Sequence, residues 1–373
     1  MDNPDADGLE GASRVNVEML TRYERNGASS RLRTLQYEAS LRSQGITPTF
    51  APFFDTSYLE RLYCEQSTLG LLLGAFVRRV SRLRHAGKAD LLWLEKEALP
   101  WLPWFIERML IPTGIPLVVD YDDALFHRYD MHRSSAVRRL LGRKLDRLMA
   151  SVALVTAGNR YLADRAKAAG ASRVEIVPTV VDLNAYTPRP EPVSTQPPLI
   201  GWIGTPSTWA EYMVPLMPLL TRVAECHGAR IAVVGAGHAA EAHPLLDNLP
   251  WTEDSEVARI HAMDIGIMPL GDTPWARGKC GYKLIQYMAC GLPVIASPVG
   301  VNAEIVEHGV NGFLASTEAE WKEALETLLR DSDLRTQMGK EGRRKVEREY
   351  SLQVWGPRVA KMLHEVAHHG QDG

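Results

Sequence analysis

GKCGYKLIQYMACGLPVIASPVGVNAEIVEHGVNGFLA, residues 278–315, holds a glycine-containing loop, a helical stretch, an apolar strand, a tight loop at Ser297 to Asn302 and a second helix start near Ala303. Ligands of open parallel sheets sit beyond strand C-termini, where helix N-termini present N–H groups and positive dipole ends to phosphate. Arg277, Lys279 and Lys283 cluster at the first helix start, Lys283 one turn after Lys279 and so on the same face. Three cations there suit a diphosphate. The alternative is a solvated basic turn, because exposed Lys and Arg are common.

Outward from this stretch, short apolar runs alternate with longer segments of helical period, the pattern of βαβ units around a parallel sheet. Strands are expected at 199–204, 230–235, 264–269, 292–297 and 312–315, and a separate series at 14–19, 46–51, 90–94, 115–119, 152–155 and 174–177. Between the two series TPRPEPVSTQPP, residues 187–198, has five prolines and no periodic apolar face, and reads as a linker. The expected organisation is a disordered tail at 1–13, a domain at 14–190, a linker at 191–198, a second domain at 199–351 and a final helix within 352–373 that crosses back to the first domain.

The 373 residues suit two domains, and 45% hydrophobic with 23% charged residues is the balance of a globular enzyme. Residues 1–195 carry 26 Lys and Arg against 23 Asp and Glu, and the remainder 16 against 22, so the halves are near +3 and −6. That is no basic excess of the kind that phosphate neutralisation on nucleic acid demands. Cys64, Cys226, Cys280 and Cys290 lack zinc-site spacing, and no apolar segment approaches the roughly 20 residues of a spanning helix. Reduced thiols and a cytoplasmic chain are expected.

The 278–315 stretch resembles the C-terminal signature of the GT-B glycosyltransferases, in particular the retaining glycosyltransferase family 4. The family's apolar helix, Gly-x-Pro-Val strand, glycine loop, Glu-Ile-Val helix and Gly-x-x-Gly turn map onto Leu284 to Gly312 without a gap. MDIGIMPL (263–270) and VVGAG (233–237) resemble the strands beneath the donor nucleotide, and NGASSRLR (26–33) the N-terminal loop that faces the donor phosphates. The resemblance implies an α/β GT-B fold of two facing, doubly wound Rossmann-like domains with a cleft between them. It implies transfer of a sugar from a nucleoside-diphosphate sugar to a glycan or lipid-linked acceptor, with retention and no metal cofactor, in polysaccharide or glycoconjugate synthesis.

Donor contacts are then expected from Gly204, Thr205, Gly235, Arg277, Lys279, Lys283, Gln286, Gly300, Val301, Asn302 and Glu304, with Arg31 and Arg33 opposite. The sequence departs from the family at its two glutamates eight positions apart, whose places are taken by Gly278 and Gln286. Gln286 retains an amide for the ribose hydroxyls, whereas Gly278 offers only backbone, so Asp272 is the candidate for sugar recognition. The family's Arg and Lys after the first strand of this domain are also missing from GTPSTWAEY, 204–212. That loss places the leaving diphosphate on Lys279 and Lys283 as the catalytic cations. Glu304 is equally a first-turn acid stabilised by its helix dipole.

In the first half, Asp120, Asp122, Asp123 and His127 fall at a strand C-terminus, where His127, Asp122 and Asp123 are candidates to contact the reacting sugar and the acceptor hydroxyl. Two other readings stand: Asp120 and Asp122 as a metal-binding pair of the one-domain glycosyltransferases, and Asp122 and Asp123 as helix caps. Residues 66–89 contain no acid, and the apolar LGLLLGAFV runs into Arg78, Arg79, Arg82, Arg84 and Lys88. A second basic run holds Arg133, Arg138, Arg139, Arg143 and Lys144. Such helices can lie on an anionic membrane, or be ordinary solvated faces. Alternatives to transfer are a nucleotide-sugar 2-epimerase or hydrolase of the same fold, and a non-catalytic subunit that binds sugar nucleotide.

Overall fold

The computed structural model describes residues 14–63, 67–189 and 197–369. The expected tail at 1–13, residues 190–196 of the proline-rich segment and Cys64 lie outside the described residues. The chain divides into two compact units, one formed by the chain up to Pro178 together with the segment from Trp355, the other by Thr179–Val354.

The first unit contains β1 (Val15–Leu20), β2 (Ile46–Phe50), β3 (Leu91–Glu95), β4 (Leu117–Tyr121), β5 (Leu154–Ala157) and β6 (Val174–Ile176). They form one parallel sheet in the order β2-β1-β3-β4-β5-β6. β3 and β4 are buried along their whole length. That is why LLWLE and LVVDY read as near-continuous apolar runs rather than as an alternation.

The second unit repeats the plan with β7 (Leu199–Ile203), β8 (Arg230–Val234), β9 (Leu246–Leu249), β10 (Ile265–Met268), β11 (Val294–Ala296) and β12 (Gly312–Leu314). Its parallel order is β12-β11-β10-β7-β8-β9. In both sheets the strand order reverses beside the first strand, at β1/β3 and at β7/β10. In open parallel sheets, ligand crevices lie at such reversals, beyond the strand C-termini. Among the described residues, eleven of the twelve strands match the expected ones and β9 does not, because LDNL at a sheet edge needs no apolar run.

The division at 178/179 corrects the boundary expected at 190. Residues 179–189 pack in the second unit: Val181 N–H donates to the Tyr350 carbonyl at 3.1 Å, Arg189 N–H to the Cys290 carbonyl at 2.9 Å, and the Arg189 guanidinium pairs with Asp264 at 3.0 Å. The last helix, Leu352–His369, leaves the second unit at Trp355 and joins the first. There Glu365 pairs with Arg173 at 2.8 Å, and His364 bonds the Gln44 carbonyl at 2.8 Å.

Candidate functional site

Around the β7/β10 crevice the second unit is built by close backbone approach. Gly235, after β8, has φ +86°, and a Cβ there would lie 2.3 Å from the Gly204 carbonyl oxygen. Gly300, with φ +55°, brings the 297–302 loop against Arg277, whose carbonyl oxygen would sit 2.8 Å from a Cβ. Only glycine suits both the left-handed backbone and the contact. Thr205 caps the short helix that follows β7, accepting from Thr208 N–H.

The helix Tyr282–Ala289 starts after Gly281 and is pinned to the sheet, its Tyr287 hydroxyl accepting from Ile203 N–H at 2.9 Å. This places Lys283 Nζ 4.6 Å from the ring centre of Trp202 in β7. Lys279 Nζ lies 5.6 Å from the ring centre of Tyr212. Burial and the charge of Lys279 push the Lys283 ammonium down to about 7. Two cations over aromatic faces at a sheet reversal are an electrostatic arrangement that suits an anion.

Three expectations for this half are corrected. Arg277 and Asp272 hold each other in a two-point pair, Nε to Oδ1 at 2.6 Å and Nη2 to Oδ2 at 2.8 Å. That hydrogen-bonded guanidinium holds the Asp272 carboxyl below its ordinary range. The cluster of three cations is thus two lysines and an exposed ion pair, because the fork of Arg277 matches the carboxylate five residues upstream. Gln286 is buried, and its amide nitrogen donates to the Tyr186 hydroxyl at 2.8 Å. Tyr186 donates in turn to Glu256, which also accepts from Trp251 Nε1 at 2.7 Å. Gln286 therefore ties the 179–189 segment to its helix rather than facing ribose. Third, the N–H groups at the Asn302–Ile305 helix start are engaged locally, Asn302, Ala303 and Glu304 donating to Val299, Gly300 and Val301. Val301 and Asn302 are buried, and the Asn302 amide donates to the Ser297 carbonyl at 3.2 Å, while Glu304 is exposed.

In the first unit the residues expected at the crevice are joined by three that sequence reasoning passed over: Glu95, Lys96 and Glu97. Lys96 Nζ lies 2.9 Å from Asp122 Oδ1, 2.9 Å from Asp123 Oδ2 and 3.1 Å from Ser29 Oγ. Glu95 accepts from Ser30 Oγ at 2.6 Å and from Arg22 N–H at 2.8 Å, and burial raises its carboxyl. Glu97 accepts from Lys144 Nζ at 2.7 Å and from the Tyr129 hydroxyl. Their signal in the sequence was the run EKE, three charged residues closing a buried apolar strand.

Arg33, expected beside donor phosphates, is 1% exposed and grips Asp120, Nε to Oδ2 at 2.9 Å and Nη2 to Oδ1 at 2.7 Å. Asp120 also accepts from Thr156 Oγ1 at 2.6 Å, which makes it a structural partner of Arg33 rather than half of a metal-binding pair with Asp122. Arg31 is buried too, donating to the Arg25 carbonyl at 3.1 Å. Asp122 and Asp123 are partners of Lys96 rather than helix caps. His127 has both ring nitrogens engaged, one with Asp130 at 2.9 Å and one with the Tyr161 hydroxyl at 2.7 Å, so the sugar or acceptor would have to displace a partner to reach it.

Two doubly wound parallel-sheet units, the second with two lysines near its strand-order reversal, define the GT-B class of fold. Residues 197–331, within the second unit, match the family described as Glycosyl transferases group 1. The structure of Anabaena HepE in complex with UDP-glucose superposes with a TM-score of 0.70 at 18% identity, covering 94% of this chain and 100% of that one. WaaG, a glycosyltransferase involved in lipopolysaccharide biosynthesis, gives 0.63 at 13% identity, covering 93% and 99%. At these identities the likeness establishes the fold. A GDP-mannose-dependent monoacylated alpha-(1-6)-phosphatidylinositol monomannoside mannosyltransferase of Corynebacterium glutamicum is 26% identical over 245 residues, 59% of this chain and 64% of that protein. The matches to curated relatives span between 20% and 64% of those relatives' lengths.

Proposed function

We propose that the chain is a metal-independent glycosyltransferase that moves a sugar, with retention, from a nucleoside-diphosphate sugar to a hydroxyl of a glycan or lipid-linked acceptor, in polysaccharide or glycoconjugate synthesis. The observation that carries this reading is the pair Lys279 and Lys283 at the β7/β10 reversal of a group 1 glycosyltransferase domain. A leaving diphosphate gains charge on its oxygens, and fixed cations there stabilise it without a metal. The UDP-glucose bound to HepE and the GDP-mannose in the relative's name support a nucleotide-sugar donor. In the first unit Asp122 and Asp123 accept hydrogen bonds from hydroxyls of the sugar or acceptor. The test is transfer from UDP-, GDP- and ADP-sugars in the presence of EDTA, with the anomer of the product read by NMR. Retained configuration and undiminished rate are expected. Loss of activity in EDTA restored by Mn²⁺ overturns the metal-independent mechanism, and donor turnover at full rate without acceptor points to epimerisation or hydrolysis.

Peripheral docking of the first unit on an anionic membrane is part of the same proposal. No helix among the described residues is long and apolar enough to cross a membrane. On the helix Leu69–His85, however, Leu69, Leu73 and Val77 are 75%, 70% and 63% exposed at one-turn spacing. Exposed Arg78, Arg82 and Arg84 lie on the same helix. Arg79 does not belong to that surface: it is buried, donates to the Thr21 carbonyl and stacks over Phe53. Lys144 of the second basic run is likewise buried. Each basic residue near such a surface contributes about 1 kcal/mol, and each inserted Leu or Val roughly 1.5–3 kcal/mol. Wild type is expected to sediment with anionic vesicles at low salt and to be released at high salt, whereas a Leu69→Ser, Leu73→Ser, Val77→Ser variant stays in the supernatant. Equal sedimentation of the two proteins removes the helix from the interface.

A further inference from the structure

Arg84 and Arg108 are both exposed, and among the described residues neither guanidinium has an ion pair or a hydrogen bond. They line one cavity of about 450 Å³ in the first unit. Arg84 stands in the last turn of the helix Leu69–His85, and Arg108 in the last turn of the helix Trp104–Leu110, whose chain continues along the wall to Thr113. The first helix leads into β3 and the second into β4, so the cavity lies towards the N-terminal ends of those strands. That is the opposite end of the sheet from Asp122 and Asp123. No acid lines the cavity. Glu107, next to Arg108 in sequence, is buried and turned away to Lys144 Nζ at 2.9 Å and the Ala98 N–H at 2.8 Å. Arg78 and Arg82 differ in this respect, with Asp55 at 3.1 Å and Glu18 at 3.3 Å as their counter-charges.

The rest of the wall is largely apolar, with Met109, 82% exposed, beside Ile111 and Pro112. Phe105, 60% exposed, precedes Met109 by four residues and so stands on the same side of its helix. Val77 and Arg84 are seven residues apart, within about 20° of each other around their helix, so the stripe of Leu69, Leu73 and Val77 runs on to the cavity. Planar guanidinium forks match phosphate oxygens, and a small free anion would leave the apolar wall wet. We infer that this cavity is a headgroup site for an anionic phospholipid, with Arg84 and Arg108 on the phosphate oxygens and Met109 and Pro112 against the glycerol and first acyl methylenes. Thr113, exposed and without a side-chain hydrogen bond among the described residues, adds a hydroxyl for the headgroup. The inference rests on the peripheral docking proposed above, for which it names the lipid class, and does not depend on the transfer reaction. At the far end of the sheet from the strand C-termini, a lipid held here anchors the first unit and is not the acceptor.

The test uses the full chain with two probes: dihexanoyl phosphatidylglycerol below its micelle concentration, followed by NMR titration, and sedimentation with phosphatidylcholine vesicles that contain phosphatidylglycerol. Wild type is expected to bind the short-chain lipid saturably at a single site. A variant with Arg84→Lys and Arg108→Lys keeps the net charge but loses both forks. Diffuse attraction to a charged surface counts charges and treats the two proteins alike, whereas a site of paired forks does not. The variant is therefore expected to bind both probes roughly tenfold more weakly, the scale of one lost charge-assisted hydrogen bond. The Leu69→Ser, Leu73→Ser, Val77→Ser variant should lose the vesicles and keep the short-chain lipid, because its changes lie outside the cavity. Inorganic phosphate at the lipid's own concentration should not displace it. Equal binding by wild type and the lysine variant overturns the inference, as does displacement by inorganic phosphate, or vesicle binding by wild type without short-chain binding. Saturable short-chain binding with no sedimentation on vesicles defeats the docking reading instead, and leaves the headgroup site standing.

Discussion

Lys283→Ala is expected to lower sugar transfer by roughly 10²-fold with the fold intact, and Lys279→Ala to act in the same direction, since each removes a preorganised cation from the leaving diphosphate. Initial rates at saturating donor measure this, and activity within twofold of wild type for both variants would take them out of the site. The pH dependence is more specific. With its ammonium pushed down to about 7, the empty site at pH 8 holds Lys283 mostly neutral. A bound diphosphate favours the charged form, so binding takes up a proton, close to one per site at pH 8. Affinity then falls by up to tenfold per pH unit above 7, until the pH passes the raised value in the complex. Calorimetry in buffers of different ionisation enthalpy counts that proton, and Lys283→Ala should abolish it.

The sign for stability runs the other way from that of an ordinary ion pair. Because folding lowers the Lys283 value from that of a free lysine to about 7, the unfolded chain binds more protons across the window between them. The stability of the ligand-free protein contributed by this group therefore rises with pH through that window and is least below 7, where the buried charge must be carried. A nucleoside diphosphate reverses this by supplying the counter-charge, so ligand-induced stabilisation should be largest near pH 7.

Asp120→Ala should destabilise the first unit by about 3–5 kcal/mol, the cost of leaving one member of a buried ion pair without its partner. Arg33 and Asp120 are each 1% exposed, and the guanidinium also donates to the Val177 carbonyl at 2.8 Å. Removal of the carboxylate strands a buried cation between β4 and the end of β6. Urea unfolding measures the loss. A variant as stable as wild type but inactive would return Asp120 to the site and reopen its pairing with a metal. Asp123→Asn, by contrast, concerns a half-exposed partner of Lys96 and is expected to cost far less.

The candidate residues of the second unit could be named from the sequence because they are local in the chain. Lys279, Lys283 and Gly300 fall within one βα-loop-helix stretch, so residue type and spacing alone set them beside a strand end. The second unit's Arg277 and Asp272 were each plausible in isolation, and only geometry shows that a carboxylate five residues upstream has already satisfied the guanidinium. In the first unit the sequence singled out Asp122 and Asp123 but not their partner Lys96. Lys96 precedes them by 26 and 27 residues and meets them because β3 and β4 are parallel neighbours, with Glu95 beside Asp120 in register.

What the sequence by itself determined is what period and local composition encode. Those are, among the described residues, eleven of twelve strands, two doubly wound sheets and the absence of a spanning helix. Apolar runs report burial along an element, and turn residues report its ends, whatever lies across from them. The tertiary structure alone decided which charges are partners. It turned Arg33, Arg79 and Gln286 inward to Asp120, the Thr21 carbonyl and Tyr186, and it assigned residues 179–189 to the second unit. The physical reason is that a long polar side chain carries the same hydrophilic signal in sequence whether water or a buried counter-group satisfies it, and that partner is chosen by strand order across tens of residues.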